Sequence, residues 1–159
     1  LNGVEQSVEV TLLEKERDQL LDLQRNNIDF PKLKKDSFKQ TIELGPACTS
    51  LVDRLSNQYY GKTGLSHAVR LNKYIDNINI PEHVDKTLFS LVYQYNNIPG
   101  FQYFCEKWID FDYDCDKVLL CFDEKSKHYD YEPVPHRFHN DDEILRYSLT
   151  IHVDDLDIR

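Results

Sequence analysis

The 159-residue chain carries 28 acidic against 19 basic residues, a net charge of −9, with 40% hydrophobic and 30% charged residues. Such a composition belongs to one globular domain with a real core and excludes a disordered chain; its sign speaks against binding to nucleic-acid phosphates or anionic lipid. No apolar run nears the ~20 residues of a membrane span, and only five glycines are present, which argues against a glycine-rich phosphate loop. The negative charge is uneven. Residues 1–109 hold 14 acids and 13 bases (−1), residues 110–159 hold 14 acids and 6 bases (−8).

In chain order, Ser7–Leu12 alternates as a short strand and Leu13–Arg25 turns helical, with Glu14, Glu16 and Asp18 early and Arg25 at its end, as the helix dipole favours. Asn26–Lys39, with Pro31 and the basic cluster Lys32, Lys34, Lys35 and Lys39, reads as a connector. Cys48, Leu51, Val52, Leu55 and Tyr59 mark a helical face, opened by Pro46 and stopped by Gly61. Leu65, Ala68, Val69, Asn72 and Ile75 give a second helical stripe. Val84, Leu88, Leu91, Val92 and Tyr95 give a third, opened by Pro81, with His83 in its first turn and no role assigned to it. Residues 101–109 fit helix better than strand.

The last third reads differently. Asp110, Asp112, Asp114 and Asp116 alternate with aromatic or thiol residues; an EF-hand loop would need Gly and Glu where Cys115 and Cys121 stand. Lys117–Phe122 is a buried-strand run, and Arg146–Val153 is an amphipathic strand with Tyr147, Leu149, Ile151 and Val153 on one side. Cys48, Cys105, Cys115 and Cys121 form no C-x-x-C pair, so free thiols in a reducing, cytoplasmic setting are expected. These elements predict an α+β fold in a single domain, 1–159. It comprises an N-terminal helix and connector over 1–45, a helical part over 46–108, and an acidic part over 109–159 built on a small antiparallel β-sheet.

Two functions compete. Charge and composition favour a non-catalytic acidic protein-interaction module of inhibitor or immunity type. It would dock on a basic partner protein through Tyr103, Trp108, Asp110, Asp112, Tyr113, Asp114, Asp116, Tyr131, Asp141, Asp142 and Glu143, with no cofactor. The alternative is a divalent-metal enzyme. His139-x-Asp141 places an imidazole and a carboxylate on one side of an extended segment, and His136 or His152 could supply a third ligand, for iron or for zinc. The run His139, Asp141, Asp142, Arg146, Tyr147, the strand to Val153 and Asp154-Asp155 resembles the region around the first two iron ligands of phytanoyl-CoA-dioxygenase-like Fe(II)/2-oxoglutarate oxygenases. The resemblance implies iron on His139 and Asp141, with a distal histidine and a 2-oxoglutarate-binding basic residue further downstream.

Overall fold

The computed structural model describes residues 8–27 and 38–159. Lys32, Lys34 and Lys35 of the basic cluster lie outside the described residues. In order, the elements are β1 (Glu9–Thr11), α1 (Glu14–Asn26), β2 (Lys39–Gly45), α2 (Thr49–Tyr60), β3 (Ser66–Ile75), β4 (Ile78–His83), β5 (Phe89–Gln94), β6 (Phe101–Cys105), β7 (Lys107–Asp110) and β8 (Lys117–Phe122). A 3-10 helix (Glu124–Tyr129), β9 (His136–Asn140) and β10 (Leu145–Asp154) complete the chain. The strands pair antiparallel in two sheets, ordered β1-β8-β5-β10-β3-β2 and β4-β9-β6-β7. Two sheets face to face in this way make a jelly-roll-like fold.

The expected α+β fold with a small C-terminal sheet is therefore corrected. Residues 66–75, 89–94 and 101–110 are strands, and only α1 and α2 of the expected helices are present. For residues 89–94 the physical reason is burial on both faces. Every residue of Phe89–Gln94 is buried, because Phe89, Leu91 and Tyr93 face the helices while Ser90, Val92 and Gln94 face the space between the sheets. A strand buried on both sides loses its period of two, and its continuous apolar run can be read as a helical face.

The large sheet packs its outer side on the helices. Tyr60 of α2 stacks on Phe89 at 5.4 Å, Tyr59 meets Phe122 edge-on at 5.7 Å, and the Tyr95 hydroxyl donates to the Leu20 carbonyl of α1 at 2.6 Å. Leu149, Ile151 and Val153 of β10 are fully buried, each contributing about 1.5–3 kcal/mol. Glu16 ties the helices together: it caps the Leu13 N–H at 2.7 Å and accepts both arms of the Arg54 guanidinium at 2.7 and 2.8 Å. Gly61 ends α2 in the left-handed conformation (φ +67°), as its place in the sequence suggests. The other side of β10 carries Arg146, Ser148, Thr150 and His152, and these line the space between the sheets.

Candidate metal centre between the sheets

A cavity of about 240 Å³ lies between the two sheets. At one place His83, Asp85 and His136 converge, their ligand atoms all within 4.8 Å of one another. His83 ends β4 and His136 opens β9, and the two are register partners. The pairing shifts between Ile80 and His83, where Pro81 has no N–H to offer the ladder. Asp85 sits in the turn between β4 and β5, its Oδ1 3.7 Å from His83 Nε2 and its Oδ2 3.5 Å from His136 Nε2.

Both histidines are held in the same way. His83 Nδ1 lies 2.9 Å from the Pro81 carbonyl and His136 Nδ1 lies 3.2 Å from the Val134 carbonyl. A carbonyl only accepts, so each Nδ1 carries a proton and each Nε2 is the ring nitrogen directed at the cluster. Burial pushes the Asp85 carboxyl up, but the hydrogen bond from His136 and the nearby imidazoles of His152, His136 and His83 outweigh it and hold the group at about 2. Asp85 is thus a carboxylate at any physiological pH. Burial pushes the His136 imidazole down, but the Cys121 and Asp85 side chains beside it outweigh this and push it up to about 11, so a metal would displace its Nε2 proton on binding. Two imidazoles and one carboxylate suit a divalent cation, and they leave further coordination positions free.

The turn carrying Asp85 is fastened from one side by residues 123–126. The N–H groups of Asp123, Glu124 and Lys125 donate to the carbonyls of Leu88, Asp85 and Thr87 at 3.0, 3.0 and 3.2 Å, and the Ser126 hydroxyl donates to Leu88 O at 2.6 Å. The buried Asp123 carboxylate accepts the hydroxyls of Thr87 and Ser90, both at 2.6 Å. Burial pushes the Asp123 carboxyl up to about 7.

Arg146 lines the same cavity and is 2% exposed. Its guanidinium lies among the rings of Phe138, Phe101 and Tyr74, at 4.4, 5.4 and 5.6 Å, and Nη1 donates to Ser148 Oγ at 3.3 Å. Nε and Nη2 have no partner, and no carboxylate pairs with Arg146 among the described residues. Burial lowers its pKa to about 10. An uncompensated buried cation is costly, and an anion would relieve it.

The residues singled out in the sequence fall elsewhere. His139 and Asp141 pair at 3.0 Å on the surface, with side chains 57% and 83% exposed, and no third ligating side chain joins them among the described residues. Along β9 the burial alternates, so His136 faces inward and His139 outward; the two histidines do not share a face. Of the proposed contact residues, Tyr103 is buried with its hydroxyl on Glu9, and Tyr131 is packed on Phe122 at 4.3 Å with its hydroxyl on the Tyr59 carbonyl. Trp108 lies under the Arg137 guanidinium at 3.7 Å, Asp110 accepts from Gln102, and Asp116 pairs with Arg17 at 3.0 Å. Asp112, Tyr113, Asp142 and Glu143 are exposed, and Asp114 is half-buried, accepting from the Asp116 N–H.

The sequence places His136 and His152 only among possible ligands beside His139, and assigns His83 and Asp85 no role. The available signal is a second His-x-Asp spacing, His83-Val84-Asp85, standing directly before the most buried run in the chain. All four cysteines are free, and no helix among the described residues is long and apolar enough to cross a membrane.

No protein-family model and no curated protein matches the sequence. Solved structures match by shape. A 2-oxoglutarate complex of the Arabidopsis thaliana dioxygenase for auxin oxidation aligns with a TM-score of 0.64 at 11% identity, covering 96% of this chain and 85% of that one. A Pseudomonas putida prolyl-4-hydroxylase gives 0.62 at 15% identity, covering 92% and 90%. A full-length Neurospora crassa protein in complex with alpha-KG gives 0.61 at 12% identity, covering 92% and 74%. At these identities the likeness establishes a shared fold. Together with the His-Asp-His group, it overturns the expectation of a non-catalytic, inhibitor- or immunity-like module built on an acidic last third. That third supplies β8, β9 and β10 to both sheets and contributes His136 and Arg146 to the cavity.

Proposed function

We propose that this protein is an oxygenase that uses Fe(II) and 2-oxoglutarate to hydroxylate a substrate held between the sheets. The observation that carries the reading is the sharing of one cavity by the His83–Asp85–His136 group and the Arg146 guanidinium, whose Nε and Nη2 have no partner among the described residues. Two histidines and one carboxylate on one face are the ligand set of non-haem Fe(II) oxygenases, which leaves positions for a chelating co-substrate and oxygen. 2-Oxoglutarate carries a second carboxylate that needs a fixed cation, and the unused Nε and Nη2 of Arg146 form the planar fork that matches a carboxylate.

The chain's own residues supply placement. His83, Asp85 and His136 would hold the metal, each imidazole oriented by a backbone carbonyl. Arg146, with the Ser148 hydroxyl beside it, would receive the distal carboxylate, and the rings of Phe101, Phe138 and Tyr74 keep water from that charge pair. Bound together, Fe(II) and 2-oxoglutarate supply the oxidising chemistry: one atom of dioxygen leaves in succinate, formed with CO2 from the 2-oxo acid, and the other enters a substrate C–H bond. The structures of shared fold that contain 2-oxoglutarate or alpha-KG support the choice of co-substrate.

An anaerobic titration with Fe(II) followed by 2-oxoglutarate tests this. The expected result is stoichiometric metal binding and a visible charge-transfer band when the 2-oxo acid is added. Arg146→Met should keep the metal and lose the band, and His136→Ala should lose both. Failure of the unmutated protein to bind either component would refute the reading.

A further inference from the structure

A second set of ligating side chains overlaps the first. Asp85, Asp123 and His152 also bring their ligand atoms within 4.8 Å of one another, sharing Asp85 with the His83–Asp85–His136 group. Two ions bridged by Asp85 would be one interpretation. The position of Ser90 speaks against it. Its Oγ lies 2.6 Å from Asp123 Oδ2, 2.8 Å from His152 Nδ1 and 3.3 Å from Asp85 Oδ2. A hydroxyl already stands among the three side chains, where an ion would need ligands at about 2.0–2.2 Å. Asp123 is also fully buried and does not line the cavity from which a metal would enter.

We infer that Ser90, anchored by Asp123, is a positioning residue that holds the Asp85 carboxylate for the metal, and that the Asp85–Asp123–His152 group is a hydrogen-bonded hub with no ion of its own. This rests on the metal-centre reading above. Ser90 has one proton to give. It goes to Asp123 at 2.6 Å and is shared at longer range with Asp85, while the oxygen lone pair accepts from His152 Nδ1–H. Asp123 also grips Thr87, so one buried carboxylate fixes two hydroxyls, two and five residues beyond Asp85. With β5 held at this point, Asp85 has little freedom to turn away from His83 and His136. Hydrogen-bonded partners behind a metal ligand typically account for about 10- to 100-fold in metal affinity.

The test is a Co(II) titration of the unmutated chain, Ser90→Ala and Ser90→Thr, read by calorimetry and by the visible d–d spectrum, with thermal melting alongside. The unmutated chain should bind one equivalent. S90A should bind one equivalent about 10- to 100-fold more weakly with an altered spectrum, and S90T, which keeps the hydroxyl, should restore both. If S90A does not fold, Ser90→Cys replaces it, since a thiol fills the space but donates weakly. S90A (or S90C in its place) with unmutated affinity and spectrum overturns the positioning role. A second equivalent bound by either the unmutated chain or the variant overturns the hub. Absence of any binding to the unmutated chain instead removes the metal-centre reading, and this inference with it.

Discussion

His83 and His136 face one another across the β4–β9 pairing with ring centroids 4.3 Å apart, and each gives its Nδ1 proton to the carbonyl two residues before it. Two independent backbone contacts thus hold the same ring nitrogen, and the two Nε2 atoms meet at Asp85. Replacing either histidine by alanine should lower Mn(II) affinity beyond the roughly 10- to 100-fold cost of losing an outer partner. His139→Ala, on the outer face of β9, should leave it unchanged. Calorimetric titration of the three variants checks this.

Arg146 is a buried charge with no counter-ion among the described residues, which is expensive for the fold alone. Arg146→Met keeps the length and removes the charge. It should raise stability by about 1–3 kcal/mol, seen as a higher melting temperature, while abolishing 2-oxoglutarate binding. A variant that melts lower would show that the three surrounding rings and Ser148 compensate the charge fully.

Asp123 makes stability fall with rising pH. Burial raises its folded-state pKa to about 7 from an ordinary value of 3.8, so between these values the folded chain binds more protons than the unfolded one. Stability is greatest below the lower value and declines as pH rises through about 7. Asp123→Asn removes the titration. The melting temperature of the unmutated chain should therefore fall relative to D123N between about pH 5 and pH 8; a constant difference would contradict the burial of a titrating carboxyl here.

Gly100 lies beside β9 with φ +124°, and a Cβ there would clash with the His139 carbonyl oxygen. That carbonyl is backbone, on a residue whose N–H donates to Gly100 O at 3.1 Å. Gly100→Ala should cost more than about 2 kcal/mol through combined strain and clash, measured by denaturant unfolding, and should loosen the β6–β9 pairing that carries His136.

The legible parts of the fold are those with one buried face. α1, α2, β8 and β10 show clean periods or compact apolar runs, and the split of β10 into Leu149, Ile151 and Val153 against Arg146, Ser148, Thr150 and His152 holds in the structure. β5 mimics a helical stripe because its second face is also covered, at the cavity wall that Ser90 and Val92 help form; in β3, Ala68 and Arg70 are exposed, but the spacing of Leu65, Ala68, Val69, Asn72 and Ile75 also fits a helical face. The site is obscured for a related reason. Assigned to a helix, His83 and Asp85 would diverge; at the end of β4 and in the turn beyond it they converge. His139-x-Asp141 has the same spacing and a stronger local resemblance, but the alternation of β9 turns His139 to solvent. A single strand assignment decides which His-x-Asp pair meets His136.

The most direct test of the metal assignment is an anomalous difference map from crystals grown with Mn(II) and 2-oxoglutarate without oxygen. One peak is expected, bonded by His83 Nε2, Asp85 and His136 Nε2, with the distal carboxylate of 2-oxoglutarate on Arg146. A peak at His139 and Asp141, or 2-oxoglutarate placed away from Arg146, would contradict it.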